Sequence, residues 1–295
     1  MPDCNGENRA YKRRSYVMEP YSVLMTVYQR EEPAYFEQAI QSILGQTVKT
    51  DDFVIVCDGP LSEELDAIIS HFTLVYPEVF NVLRLPQNQG IGAAANAGLR
   101  ICKHDLIAKM DADDLAVPDR CETQLRRFEQ EPNLMVLGGD IEEFDMTPDR
   151  PYAVREVPRT NEEIRSFAQR RQPFNNVTVM MRKSAIFAVG GYRSLRRNED
   201  YDLFIRLLNE GFYAENLGEV LVKVRVDRNA CKRRSCFATF QGTVRSRWNA
   251  YRIGYSSLSD FLYCSVGAFF LLICPGRLQE LIYSQLLRKK VEANT

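Results

Sequence analysis

The chain has few histidines, no paired cysteine motif and no long apolar run. Only 2 of its 295 residues are histidine, and none of its 8 cysteines forms a Cys-x-x-Cys pair. The ligand spacing of a structural zinc site is therefore missing. Several cysteines lie in apolar runs such as Phe261–Cys274, where cysteine packs as a small hydrophobic residue. The pattern argues against a disulfide framework and favours a reducing compartment, the cytoplasm.

Two further absences concern membranes and nucleic acids. No stretch reaches the roughly 18 apolar residues of a transmembrane helix, and Met1–Arg14 has no apolar core of signal-peptide length. We expect residues 1–19 to form a disordered lead. The net charge of −1 removes the global attraction that is typical of nucleic-acid-binding proteins, so no nucleic-acid partner is expected.

Strand and helix patterns alternate through the first half of the chain. Apolar runs rich in β-branched residues predict four strands, at Tyr21–Tyr28, Phe53–Cys57, Val79–Leu85 and Leu106–Met110. Helical spacing and capping residues predict four intervening or following helices, at Pro33–Gln46, Ser62–Phe72, Ala93–Arg100 and Arg120–Glu131. This order predicts an α/β fold with a doubly wound, mostly parallel sheet and a Rossmann-like nucleotide-binding half.

A cluster of carboxylates follows the fourth predicted strand. Asp111, Asp113 and Asp114 come directly after the apolar run, where ligands of open α/β sheets bind. Crowded carboxylates repel one another and shift each other's pKa. A divalent ion such as Mg²⁺ or Mn²⁺, shared with substrate phosphates, would relieve that repulsion. A solvated acidic loop that caps the next helix is the structural alternative.

Two other predicted strand ends carry polar groups. Thr26 and Tyr28 end the first strand, and Asp58 follows the second. Asp58-Gly59 is a common turn dipeptide, so a purely local role is one interpretation. A hydrogen bond from the Asp58 carboxylate to a nucleotide base or ribose is the other, and the sequence leaves both open.

The second half of the chain is less regular. It contains an apolar run at Leu134–Gly139. Its patterns predict a helix at Asn161–Gln169, a strand at Val177–Met181 and a helix at Tyr201–Asn209. Glu199 and Asp200 precede the last helix. Their charges would stabilise its N-terminal dipole by about 0.3–1 kcal/mol, or one of them would act as a general base.

The region 226–295 combines basic and apolar segments. Basic residues dominate Arg225–Arg247, an uncharged run of 14 residues follows at Phe261–Cys274, and Arg288, Lys289 and Lys290 come after it. The run is too short to span a bilayer. The order is typical of an interfacial element on anionic lipid, and a helical appendage packed on the core accounts for it equally well.

An ordered set of motifs resembles the family 2 glycosyltransferases of the GT-A fold. The blocks are SVLMTVYQREEPAYFEQAIQSILGQT, VIVCDGP, LPQNQGIGAAANAGL, AKMDADD, NNVTVMMRKS and GGYRSLRRNEDYDLFIRLL. They occur in the family's order across roughly residues 20–225. The resemblance is greatest to bacterial enzymes that assemble capsule, exopolysaccharide or lipopolysaccharide repeat units. It implies a catalytic domain at 20–225 and a helical C-terminal appendage at 226–295.

The resemblance implies a role for each matching residue. The residues that would bind the nucleotide sugar are Thr26, Tyr28, Asp58, Asn96 and Asp111. The residues that would hold Mn²⁺ or Mg²⁺ are Asp113 and Asp111. The catalytic base would be Asp200, with Glu199 beside it. Three departures are visible. Ala95 stands where many members have Arg, Asn176 stands where His is common, and the Gln-x-x-Arg-Trp signature of processive synthases is missing.

The expected activity is inverting transfer of a sugar from a nucleotide-diphosphate sugar to an acceptor hydroxyl. A glycan or lipid-linked acceptor is expected, with peripheral contact to anionic lipid at the inner face of the cytoplasmic membrane. One alternative is a non-catalytic member that binds a nucleotide sugar or acts as a scaffold. Another alternative is a sugar-phosphate nucleotidyltransferase. Such an enzyme normally has a glycine-rich phosphate loop after its first strand, and this chain has Gln29–Pro33 there instead, which argues against this alternative.

Overall fold

The computed structural model describes residues 18–145, 147–195, 197–226 and 237–274, and the backbone of 289–290. The expectations for residues 1–17, for the basic residues within 227–236 and for the side chains of 288–290 lie outside the described residues. Within the predicted lead, Glu19 forms an ion pair with Arg182, with 3.0 Å between Oε1 and Nη1.

The first half of the chain forms the predicted alternation. Its elements are β1 (Tyr21–Val27), α1 (Pro33–Leu44), β2 (Phe53–Cys57), α2 (Glu63–Val75), β3 (Phe80–Arg84), α3 (Ile91–Ile101) and β4 (Leu106–Asp111). β1 pairs in parallel with β2 on one side and β4 on the other, and β2 pairs in parallel with β3. As predicted, Ser62 caps α2, because its side chain accepts a hydrogen bond from the Leu65 amide.

The second half adds the remaining described strands and helices. These are β5 (Leu115–Ala116), α4 (Arg120–Gln130), β6 (Leu134–Phe144), β7 (Ala153–Arg155), α5 (Asn161–Ala168), β8 (Met180–Arg182), α6 (Lys183–Ala188), α7 (Glu199–Asn209), β9 (Tyr213–Arg225), α8 (Phe237–Arg252), α9 (Leu258–Ile273) and β10 (Lys289–Lys290). Among the described strands, β6 and β9 are the two longest. The sheet runs in the order β10-β7-β6-β8-β4-β1-β2-β3, and β9 pairs with β5 and β6. β8 lies antiparallel between β4 and β6, so the sheet is parallel in its first half and mixed in its second.

Helices cover both faces of the sheet. Alternate residues of β1 and β2 point to opposite sides, as a strand's two-residue period requires. Val23 and Ile55 pack with α1, α2 and α4 in one apolar cluster. Leu24 and Val56 pack with α3, α5, α6, α7 and α8 in a second cluster. Strands buried on both faces explain why the sequence shows continuous apolar runs there.

The predicted strand at Val177–Met181 is wrong over its first half. Asn176–Thr178 form a short 3₁₀ turn, and the strand begins only at Met180. Side-chain hydrogen bonds hold the turn: Thr178 Oγ1 donates to the Asn175 carbonyl, and Asn175 Nδ2 donates to the Gly139 carbonyl. These side-chain bonds, one local and one to a distant backbone carbonyl, replace the ladder that a strand would need.

The C-terminal helices differ in their burial. α8 packs on α7 and contributes Ala250 to the second cluster, whereas α9 packs mainly on α8. α9 begins with a capping box formed by Ser257 and Asp260. Within the described ranges, no helix is long and apolar enough to cross a membrane.

The close approach of α3 to the sheet gives a test of this packing. A Cβ on Gly98 would lie 2.3 Å from Leu24 Cδ1 and 2.7 Å from Val56 Cγ2. We expect Gly98→Ala to lower the free energy of unfolding by about 1–3 kcal/mol through overpacking, measured by urea denaturation. Gly267→Ala in α9 is the control, because a Cβ there meets nothing within 4 Å. Equal stability of the two variants would contradict the described contact.

Candidate functional site

The strand register brings three predicted site residues to one edge of the sheet. Thr26 on β1 lies opposite Asp111 on β4, and Asp58 directly follows the last paired residue of β2. Parallel strands end at the same edge, so these side chains surround one cleft. The cleft has a volume of about 340 Å³ and is lined by Thr26, Val27, Tyr28, Glu31, Asp58, Asn88, Gly90, Ile91, Asp111, Ala112 and Asp113.

Asp58 holds one wall of this cleft in place. Its two carboxylate oxygens accept hydrogen bonds from the amides of Gln89, at 2.7 Å, and Gly90, at 3.0 Å. Gly90 has φ of 89°, a conformation that favours glycine, and its position just before α3 fixes where that helix begins. Asp58 therefore has the structural role of organising the 88–90 turn, while its side chain still faces the cleft.

Asn96 lies outside the residues that line the cleft. Its side-chain amide forms two hydrogen bonds with the backbone of Tyr192: Nδ2 donates to the carbonyl at 2.7 Å, and Oδ1 accepts from the amide at 2.8 Å. The two bonds tie α3 to the segment that leads into α7. The structure thus gives Asn96 a positioning role and does not bring its amide into the cleft.

The three aspartates of the acidic cluster have different environments. Asp111 is 33% exposed at its side chain and contacts Lys109 Nζ. Burial, with the neighbouring Asp111 charge, raises the pKa of Asp113 to about 6. Asp114 is buried, and its Oδ1 accepts a hydrogen bond from the Arg225 amide at 2.9 Å. Asp111 and Asp113 face the cleft, whereas Asp114 anchors the acidic turn to the end of β9.

Lys109 is a site residue that the sequence reasoning missed. It lies inside the apolar run of β4 and is only 5% exposed at its side chain. Its two-residue offset from Asp111 places both side chains on the same face of the strand. A lysine within an otherwise apolar strand, two positions before an aspartate, was the available signal.

Asp200 and Glu199 lie in the first turn of α7. Asp200 Oδ2 accepts a hydrogen bond from Gln172 Nε2 at 2.7 Å, and Oδ1 accepts one from the Tyr201 amide at 2.7 Å. Burial raises the pKa of Asp200, while the Tyr201 amide and Lys109 oppose the shift. Burial and the Asp200 charge raise the pKa of Glu199 to about 7. Both groups are thus proton acceptors stronger than a solvated carboxylate.

α7 meets the cleft through the first turn of α3. A Cβ on Gly92 would lie 3.6 Å from Glu199 Cβ and 3.4 Å from Tyr192 Cβ. Gly90 and Ile91, the residues just before Gly92, line the cleft. Asp111 and Lys109 both influence the pKa of Asp200. The carboxylates of α7 therefore belong to the same electrostatic environment as the acidic cluster.

The donor set facing the cleft suits a shared metal site better than an all-protein one. In the described part of the chain, no group of three or more His, Cys, Asp or Glu side chains could hold a metal ion. Asp111 and Asp113 supply two carboxylates beside open space. Mg²⁺ binds in this way, through one or two carboxylates together with substrate phosphates.

Two relatives of known biosynthetic assignment are similar over most of the chain. The amylovoran biosynthesis glycosyltransferase AmsE of Erwinia amylovora is 36% identical over 214 residues, 72% of this chain and 79% of the relative. The UDP-Gal:alpha-D-GlcNAc-diphosphoundecaprenol beta-1,3-galactosyltransferase of Escherichia coli is 31% identical over 271 residues, 91% of this chain and 97% of the relative.

A solved structure shares the fold at low sequence identity. The mannosyltransferase PcManGT of Pyrobaculum calidifontis, in complex with GDP-Man and Mn²⁺, matches with a TM-score of 0.62 and 14% identity. The match covers 92% of this chain and 78% of that one. The likeness confirms the predicted GT-A fold.

The family model described as "Glycosyl transferase family 2" matches residues 22–196, more than half of the chain. That range contains all but the first residue of β1, the 88–90 turn, the acidic cluster and most of the segment leading into α7. Motif order, strand register and overall likeness therefore agree, and the chain belongs to glycosyl transferase family 2.

Proposed function

We propose that the protein transfers a sugar from a nucleotide-diphosphate sugar to an acceptor hydroxyl with inversion at the anomeric carbon. The observation that carries the proposal is the contact between Glu199, in the first turn of α7 next to Asp200, and Gly92, in the first turn of α3 at the cleft that holds Thr26, Asp58, Asp111 and Asp113. A donor bound in the cleft would present its anomeric carbon toward α7. Thr26, Tyr28 and Asp58 are the proposed contacts to the nucleotide.

Asp111 and Asp113 are the proposed ligands of Mn²⁺ or Mg²⁺. An ion held by these two residues would supply positive charge that neutralises the charge developing on the diphosphate leaving group. Lys109 already contacts Asp111 and supplies a fixed positive charge at the same place. The two aspartates fit this shared site because both face the cleft and the charge of Asp111 is close enough to raise the pKa of Asp113.

Asp200 is the proposed general base, with Glu199 beside it. The acceptor oxygen attacks the anomeric carbon while its proton passes to the Asp200 carboxylate, and the bond from that carbon to the diphosphate oxygen breaks. Gln172 and the Tyr201 amide each donate to one Asp200 oxygen, which fixes the carboxylate's orientation. Its raised pKa makes proton acceptance more favourable than at an exposed aspartate.

The proposed acceptor is a lipid-linked glycan at the inner face of the cytoplasmic membrane. The name of the E. coli relative gives a diphosphoundecaprenol-linked GlcNAc as that enzyme's acceptor. The exposed apolar side chains of α9, such as Val266 and Ile273, support a peripheral contact with anionic lipid. We further propose that 20–225 is the catalytic domain and 226–295 the appendage that meets the membrane.

The catalytic proposal is tested with two variants and one control. Asp200→Asn should lower kcat by about 10²–10⁴-fold, the usual effect of removing a general base, with donor affinity unchanged. Asp113→Asn should weaken metal-dependent donor binding by about 10–100-fold. Asp119→Asn, an exposed aspartate at the start of α4, should match the wild type. Full transfer by Asp200→Asn would remove it as the base, and nucleotide binding with no transfer would favour the scaffold alternative.

A thermal-shift screen tests the donor cleft separately. At a hundredfold excess over the dissociation constant, a matching nucleoside diphosphate should stabilise the protein by about 2.7 kcal/mol. We expect the stabilisation to need Mn²⁺ or Mg²⁺ and to be reduced in Asp113→Asn. Unchanged melting temperatures with every nucleoside diphosphate, with and without metal, would refute the proposed cleft.

Glu199 predicts a pH-dependent stability. Its pKa rises from an ordinary 4.5 to about 7 on folding, so its ionised form costs stability that is fully expressed above pH 7 and fades as the pH falls. Glu199→Gln should therefore stabilise the protein more at pH 8.5 than at pH 5.5, by about 2 kcal/mol at most, measured by urea denaturation. Glu78→Gln, at an exposed position, is the control. The same gain at both pH values would contradict the raised pKa.

A further inference from the structure

A second and larger cavity lies between the two C-terminal helices. It is a groove of about 730 Å³, with one wall from α8, the other from α9, and Arg170 and Arg171 at its edge. We propose that this groove, referred to below as the α8–α9 groove, binds a lipid diphosphate, with the diphosphate on its arginines and the hydrocarbon chain between the helices. The inference rests on the proposed function, since it names the site that holds the lipid part of the acceptor.

The polar end of the groove adjoins the proposed base. Arg171 is followed by Gln172, whose side chain donates to Asp200. Arg247 lies 3.6 Å above the ring of Tyr201, the residue after Asp200. A diphosphate held here would leave the attached sugar next to the Asp200 carboxylate.

The charge at this end suits a diphosphate. Three arginines line the groove, and among its described lining residues none is acidic. Arg170 pairs with Asp260 at 2.6 Å. Arg247 Nε is buried and has no hydrogen-bond partner among the described residues. A buried donor without a partner is costly, and the guanidinium of Arg247, which lines the groove, is a group that can donate to a phosphate oxygen.

The other end of the groove is apolar. Phe240 from α8 and Phe270 and Val266 from α9 line it. The burial of α9 is inverted for a globular helix: its one buried residue is Asp260, while Val266 and Ile273 are 66% and 63% exposed. An apolar helix this exposed needs a hydrophobic partner. A single hydrocarbon chain fits the concave space between two helices, and the adjoining arginines specify a phosphorylated one.

The sole tryptophan of the chain makes direct binding measurable. Trp248 follows Arg247 on α8 and is 42% exposed. Decyl diphosphate, kept below its micelle-forming concentration, should change the Trp248 fluorescence in a saturable way. Inorganic diphosphate and decanol should each bind at least tenfold more weakly, because each fills only one end of the groove.

Matched variants locate the binding. Arg247→Gln should weaken the binding of decyl diphosphate about tenfold or more. Arg252→Gln should leave this binding unchanged, because Arg252 is exposed on the same helix outside the groove. Val266→Asp should weaken it similarly, whereas Ile273→Asp, equally exposed on α9 but outside the groove lining, should not. Circular dichroism melts of all four variants check that each is folded.

Several results would overturn the proposal. Equal losses in Val266→Asp and Ile273→Asp, with anionic vesicles binding as well as decyl diphosphate, would make α9 a general bilayer contact. Concentration-dependent dimers abolished by Val266→Asp would assign the groove to a second copy of the chain. Unchanged decyl diphosphate affinity in Arg247→Gln would reject the arginine site. None of these results alters nucleotide stabilisation or the Asp200→Asn effect, so failure of the groove and failure of the proposed function are distinguishable.

Discussion

The repulsion among closely placed carboxylates is the constraint on which the arrangement of this protein depends. Five acidic side chains from two distant parts of the chain influence one another around the buried ammonium group of Lys109: Asp111, Asp113, Asp114, Glu199 and Asp200. Four of them, Asp113, Asp114, Glu199 and Asp200, are drawn out of water, and burial is the largest cause of their raised pKa values. The surrounding fold has to offset this cost, and it does so with individual hydrogen bonds.

Each of these bonds comes from a different segment. The Arg225 amide at the end of β9 holds Asp114, and Gln172, after α5, holds Asp200. On the opposite side of the cleft, the amides of the 88–90 turn hold Asp58. The parallel half of the sheet brings Asp58, Asp111 and Asp113 to one edge, and residues from the second half of the chain donate to Asp114 and Asp200. The two halves of the fold are therefore coupled through the site itself.

The sequence predicted the parallel half of the sheet because burial on both faces leaves an unmistakable apolar run. β1, β2 and β4 are of this kind, and their ends give Thr26, Asp58 and Asp111. β9 was not predicted, since Asn216 and Gly218 interrupt its pattern and its pairing with β6 shifts register. Asn216 is accommodated because its side chain donates to the carbonyls of Pro158 and Pro173. Only tertiary contacts make such a segment a strand.

The roles of residues that depend on a partner far away in the chain could likewise not be predicted from the sequence. The resemblance assigns Asn96 to the nucleotide, but the partner of its amide is the Tyr192 backbone, 96 positions away. The sequence around Gln172 does not indicate a functional role, because that role consists of the hydrogen bond that its side chain donates to Asp200. Lys109 was overlooked since a single charge in an apolar strand does not change the strand's prediction. The spacing of residues in the sequence indicates which side chains lie at the same strand end. The tertiary structure determines which of these side chains are free of internal partners and can bind a ligand.

The bond between Asp114 and Arg225 joins residues 111 positions apart. During synthesis, β1 to β4 emerge and can pair long before β9 exists, yet the acidic turn lacks its anchor until residue 225 has left the ribosome. A nascent chain that stops short of β9 would carry a sheet with an unfinished acidic edge. The order of translation thus delays completion of the charged centre until the chain needed to hold it has been made.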